Sequence, residues 1–113
     1  MTDTPTDQRR YPRTQVSFDI DVWADVAGSP APTGGRLVVL SAGGGFLELD
    51  AGYPVGSPLR LQFEVATVGR ISCRAMVRRH LEGSGVGVKF LDIDLADRTL
   101  IAAFVKKHDA RLP

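Results

Sequence analysis

Apolar and polar residues alternate along most of this chain. Val16, Phe18, Ile20, Val22 and Ala24 are interleaved with Ser17, Asp19, Asp21, Trp23 and Asp25. A period of two is that of a strand with one buried face. The pattern returns in Leu59, Leu61, Phe63 and Val65 against Arg60, Gln62 and Glu64, and in Ile71, Cys73, Ala75 and Val77 against Ser72, Arg74, Met76 and Arg78. Val86, Val88 and Phe90, separated by Gly87 and Lys89, predict a further short strand. Leu37 to Leu40 and Phe46 to Leu49 predict two more on either side of a glycine run.

Between these runs lie turn-forming segments, Gly28 to Gly35 and Tyr53 to Pro58. After Asp92 the period becomes helical. Asp94 is suited to an N-cap, Asp97 to a first turn where the helix dipole favours an acid, and Lys106, Lys107 and His108 to the last turn. Leu100, Ile101, Phe104 and Val105 form the predicted apolar stripe. The expected fold is mainly β: a six-stranded antiparallel barrel with one C-terminal α-helix packed on an opening or a face. Residues 1–8 are expected to form a flexible tail, 9–108 a single domain and 109–113 a short C-terminal tail.

At 113 residues the chain can bury a core without metals or disulfides. Its net charge of +1 advertises no general affinity for nucleic-acid polymers or anionic membranes, so any basic site must be local. No segment approaches the roughly 20 apolar residues needed to cross a bilayer, and Met1 to Pro5 lacks the basic and apolar regions of a leader; a cytoplasmic location is the expectation. Catalysis is the least favoured class. Cys73 has the buried parity of its strand, His80 and His108 have no carboxylate at a recognisable spacing, and no metal-ligand set is present. No cofactor is expected.

Two short segments carry the chemistry. Arg9, Arg10 and Arg13 lie around Tyr11-Pro12, in a stretch too polar and too close to a proline for a helix, where two guanidinium groups four apart form a fork for phosphates or guanine edges. Ser41-Ala42-Gly43-Gly44 follows a strand into a tight turn, offering a hydroxyl and a backbone that a planar ligand can approach closely. Each has a plainer reading: a solvated basic tail, and a hairpin. Trp23, on the polar parity of its strand, is either an exposed contact residue or part of a covered barrel end.

Together these segments resemble the PilZ domain, a small bacterial barrel that binds the second messenger cyclic di-GMP. The family carries Arg-x-x-x-Arg ahead of its first strand, matched by Arg9 to Arg13, and Asp/Asn-x-Ser-x-x-Gly at a strand junction, matched in part by Ser41 to Gly44. Gly85-Val86-Gly87-Val88-Lys89-Phe90 is similar to the family's last strand, and a helix follows it there too. The resemblance covers about residues 9 to 108. It implies a ligand site of Arg9, Arg10, Arg13, Ser41, Gly43 and Gly44, with Arg78 as a candidate cap. Gln8, where an arginine favours a ligand dimer in relatives, implies a single bound molecule.

One position departs from the family. Its Asp or Asn is Val39 here, two residues before Ser41 and so on the same face of the strand. An acid would accept hydrogen bonds from guanine N1 and N2; valine accepts none. Such a bond to a charged group contributes roughly 1.5–3 kcal/mol, and about 1.4 kcal/mol is tenfold in affinity. Two readings follow. In one, the chain is a single-domain cyclic di-GMP receptor of weakened affinity that signals through an unidentified protein partner. In the other, it is a degenerate PilZ-like adaptor that binds proteins without nucleotide.

Overall fold

The computed structural model describes residues 13–25, 32–49, 53–65, 68–81 and 83–109. The expected N-terminal tail, Arg9, Arg10, most of the loop after Gly28 and residues 110–113 lie outside them. Six strands follow in chain order: β1 (Arg13–Ala24), β2 (Thr33–Ser41), β3 (Gly44–Glu48), β4 (Pro58–Val65), β5 (Gly69–Leu81) and β6 (Gly85–Asp92), then helix α1 (Leu95–Asp109). All neighbours pair antiparallel in a closed barrel of order β1-β2-β3-β6-β5-β4. The long β1 closes it, pairing with β2 from Arg13 to Val22 and with β4 from Ile20 to Ala24.

The alternation predicts the interior well. Leu59, Leu61, Phe63 and Val65 of β4, Ile71, Cys73, Ala75 and Val77 of β5, and Val86, Val88 and Phe90 of β6 are all buried. Phe63 and Phe90 stack across the core with centroids 6.3 Å apart. Each such side chain taken from water contributes on the order of 1.5–3 kcal/mol, and the closed sheet leaves no edge strand. Gly85 is required where β6 begins: its φ is +147°, and a Cβ there would stand 1.9 Å from the Leu47 carbonyl oxygen.

Four register shifts interrupt the ladders. In β1–β2 the register shifts between Gln15 and Phe18, in β2–β3 between Leu37 and Val39, and in β5–β6 between Arg74 and Ala75 and again between Val77 and Arg79. The second explains why Leu37 and Leu40, three apart, are both buried. β2 also begins earlier than expected, at Thr33, drawing Gly34 and Gly35 into the ladder with β1.

Asp94 caps α1 as expected: its Oδ1 accepts from Ala96 N at 3.1 Å and its carbonyl from Arg98 N at 2.9 Å. The helix packs against β1 and β2, burying Ile101, Phe104 and Val105, and Phe104 meets Phe18 at a centroid distance of 6.0 Å. Leu100 was expected in this stripe but is 45% exposed. One residue before Ile101, it lies a further 100° around the helix, beyond the narrow face that meets the barrel. Among the described residues no helix is long and apolar enough to cross a membrane.

Candidate functional site

Strand register decides which residues meet on the barrel's outer face. Arg13, expected just ahead of the first strand, is the first residue of β1 and stands directly opposite Ser41. Across the next strands the same row continues through Gly44, Lys89 and Met76. Two residues along four of the strands, and three along β5 where the register shifts, a parallel row joins Gln15, Val39, Phe46, Gly87 and Arg79. Between the two runs an inward row: Thr14, Leu40, Gly45, Val88 and Val77. Thr14, Leu40, Val88 and Val77 are buried, whereas Arg13, Gln15, Lys89 and Arg79 are exposed. The two outer rows therefore share one face, with cations about an apolar centre of Val39, Phe46 and Gly87.

The Ser41 turn is closed on itself. Ser41 Oγ accepts from Gly43 N at 3.2 Å and from Gly44 N at 3.1 Å, and donates to the Gly44 carbonyl at 3.2 Å. A hydroxyl has one proton and two lone pairs, so these bonds occupy it. Ser41 shapes the turn between β2 and β3. The glycines, too, serve the backbone. None of Gly43, Gly44 and Gly45 adopts a left-handed conformation. A Cβ on Gly44 would stand 2.1 Å from Val88 O, and one on Gly45 2.4 Å from Val39 O. Close strand approach demands glycine at both, and Gly43 O accepts from Phe90 N at 2.8 Å.

The sequence-predicted site residues divide accordingly. Arg13, Ser41, Gly43 and Gly44 come together at one end of the face; Arg9 and Arg10 lie outside the described residues. Arg78, the expected cap, falls at the β5 bulge, so Arg79 rather than Arg78 pairs with Gly87. A Cβ on Gly87 would lie 3.7 Å from both the Phe46 ring and Arg79 Cβ, and 3.8 Å from Arg79 Nε. The aromatic ring and the arginine thus converge on a glycine.

Phe46, Lys89 and Arg79, which share this face, were not among the expected site residues. Phe46 and Lys89 had a signal in their strands' parity, opposite to that of Leu47 and of Val88 and Phe90. Arg79 had none, because a bulge is visible only once strands are paired.

Elsewhere the outer surface is differently loaded. A groove of about 530 Å³ is lined by Asp19, Asp21, Glu64 and Arg70 among others, and one of about 670 Å³ by Trp23, Asp25, Arg60, Arg74 and Asp92. Trp23 is half-buried beside the second groove, opposite Arg60. In its wall the Cys73 thiol is pushed up to about 12 by burial, with Asp97 and Asp92 adding to the effect. That keeps it protonated and unreactive near neutral pH. Among the described residues no group of three His, Cys, Asp or Glu side chains is placed to hold a metal ion.

Solved structures share this architecture. The Bacillus subtilis inhibitor of motility MotI/DgrA superposes with a TM-score of 0.76 at 20% identity, covering 94% of this chain; this chain spans about half (53%) of that protein. The PilZ domain of YcgR from Escherichia coli, solved with c-di-GMP, gives 0.66 at 15% identity, covering 91% of this chain and 92% of that one. The PilZ domain of CeSA from a cellulose-synthesizing bacterium gives 0.61 at 16% identity, covering 84% and 95%. No curated protein matches the chain by sequence. At these identities the structures speak for the fold, and the family rests on the sequence itself: the PilZ domain model matches residues 7–107, and this chain belongs to the PilZ domain family.

Proposed function

We propose that this protein is a non-enzymatic cytoplasmic receptor for cyclic di-GMP that acts through a protein partner. The dinucleotide is held between an arm carrying Arg9, Arg10 and Arg13 and the turn from Ser41 to Gly44. The observation that carries this reading is the pairing of Arg13 with Ser41 on the exposed face, with Lys89 opposite Gly44 in the same row. It joins the two motifs, twenty-eight positions apart in sequence, at one place. Family membership and the named ligand of the E. coli YcgR domain support the choice of cyclic di-GMP.

In this role Arg13 and Lys89 meet phosphate, the guanidinium through paired charge-assisted hydrogen bonds. Bases lie against Val39, Phe46 and Gly87, with Arg79 closing the far side in the part first given to Arg78. Ser41 acts indirectly, by fixing the turn. Ligand capture draws the arginine arm onto the barrel, and the altered surface is what the partner reads. Val39 supplies no acceptor to guanine N1 and N2, so affinity is about tenfold or more below that of an acid-bearing site.

The second reading, a PilZ-like adaptor that binds protein without nucleotide, is favoured by Val39 and by the occupied Ser41 hydroxyl. Calorimetric titration separates them. Saturable binding of cyclic di-GMP below about a millimolar, some −4 kcal/mol of binding free energy, supports the receptor; its absence assigns the chain to the adaptor.

A further inference from the structure

We infer that the site, on the receptor reading above, accepts cyclic dinucleotides with little discrimination between guanine and adenine. The argument starts from where a base can lie. Phosphates go to the row holding Arg13 and Lys89; the neighbouring row offers Val39, Phe46 and Gly87 side by side, the only apolar stretch of the two. At about 4.8 Å per strand, Val39 to Gly87 spans roughly 10 Å, enough for a purine ring. Gly87 leaves the space above the sheet open, with the Phe46 ring and Arg79 at its margins.

Nothing on this floor distinguishes the two purines. Guanine presents two donors, N1–H and the N2 amine, on its Watson–Crick edge; adenine presents the N1 acceptor and the N6 amine. A carboxylate at position 39 would bond the first and repel the lone pair of the second, selecting in both directions. Valine does neither. Aromatic stacking on Phe46 tolerates every base. Gln15, the cross-strand partner of Val39, carries an amide with both a donor and an acceptor, which can meet the N6 and N7 edge of adenine or the O6 and N1–H edge of guanine. Neither outer row contains a carboxylate. Glu48 and Asp19 stand farther along the strands, each opposite Arg36 in its ladder, and Asp19 lies 3.6 Å from that guanidinium.

The test is a calorimetric comparison of cyclic di-GMP with cyclic di-AMP on the full chain, at one salt concentration. Dissociation constants within about tenfold of each other support the inference. A preference beyond tenfold in either direction overturns it while leaving the receptor reading intact; for guanine, it would mean that an arginine reads O6 and N7. Failure of both ligands to bind overturns the receptor reading and this inference with it. A second arm uses Val39→Asp, or Val39→Asn should the acid impair folding. Cyclic di-GMP affinity is expected to rise about tenfold or more, with no gain for cyclic di-AMP. An equal change for both ligands, or none for either, would place position 39 away from the base and overturn the inference.

Discussion

On the β4–β5 side of the barrel, charged residues face residues of opposite or compensated charge: Glu64 stands opposite Arg70, and Arg74, opposite Arg60, binds Asp25 at 2.8 Å. On the β1–β2–β3–β6 side, Arg13, Lys89 and Arg79 border an apolar floor, and the two outer rows hold no acid. The same period of two builds both faces. What differs is what stands beside the cations: acids such as Glu64 and Asp25 on the first side, the apolar Val39 and Phe46 on the second. A surface ion pair contributes little, at most about 1 kcal/mol, and makes a soluble skin. Cations set around an aromatic floor are a general arrangement for an anionic, planar ligand.

Substitutions can break or sharpen this contrast. The largest effect is expected from Arg13→Ala, which should weaken cyclic di-GMP binding about a hundredfold by removing a bidentate, charge-assisted contact. Arg60→Ala, on the other side, should leave binding within about twofold. Titration of both variants measures the difference, and equal losses would erase the distinction between faces. Next comes Arg79→Ala, expected to cost about tenfold in affinity while Arg78→Ala costs at most about twofold. The reverse ranking would mean that the bulge presents Arg78 to the ligand.

A smaller effect, read in stability, tests the turn. Ser41→Ala removes a hydroxyl that makes three hydrogen bonds, and should destabilise the fold by about 1 kcal/mol, or roughly 4–8 °C in thermal midpoint. Ser72→Ala, exposed on the other face, should change the midpoint by less than about 2 °C. The last test concerns the β4–β5 side alone. Cys73 keeps its proton in the fold to about 12, against an ordinary value of 9.0, so its contribution to stability is intact below pH 9 and lost as pH rises from 9 towards 12. Denaturant midpoints over that range should fall, and the fall should be smaller in Cys73→Ala. Rapid alkylation of the native thiol at pH 8 would instead reveal a reactive site in that groove.

Much of this was legible from the chain. Alternation placed the core residues of β4, β5 and β6 because a strand's side chains change face at every step, a local property that neighbouring residues suffice to reveal. Asp94 and the basic last turn marked the helix ends through equally local chemistry. Leu100 went astray because a stripe read from sequence gives the apolar residues but not the width of the face that the barrel covers. Ser41 was singled out for its hydroxyl, and only the structure shows that hydroxyl bonded within its own turn.

The order of apolar and polar residues thus determined the elements and most of their inner faces, and the residues of the two motifs carried the resemblance to the family. Which outward residues become neighbours was decided only in three dimensions. Arg13 reaches Ser41, and Phe46 reaches Gly87 and Arg79, through registers and bulges that no single strand specifies. Register is chosen by the pairing that buries all the inward side chains of the closed barrel at once, and the outer rows follow as a consequence.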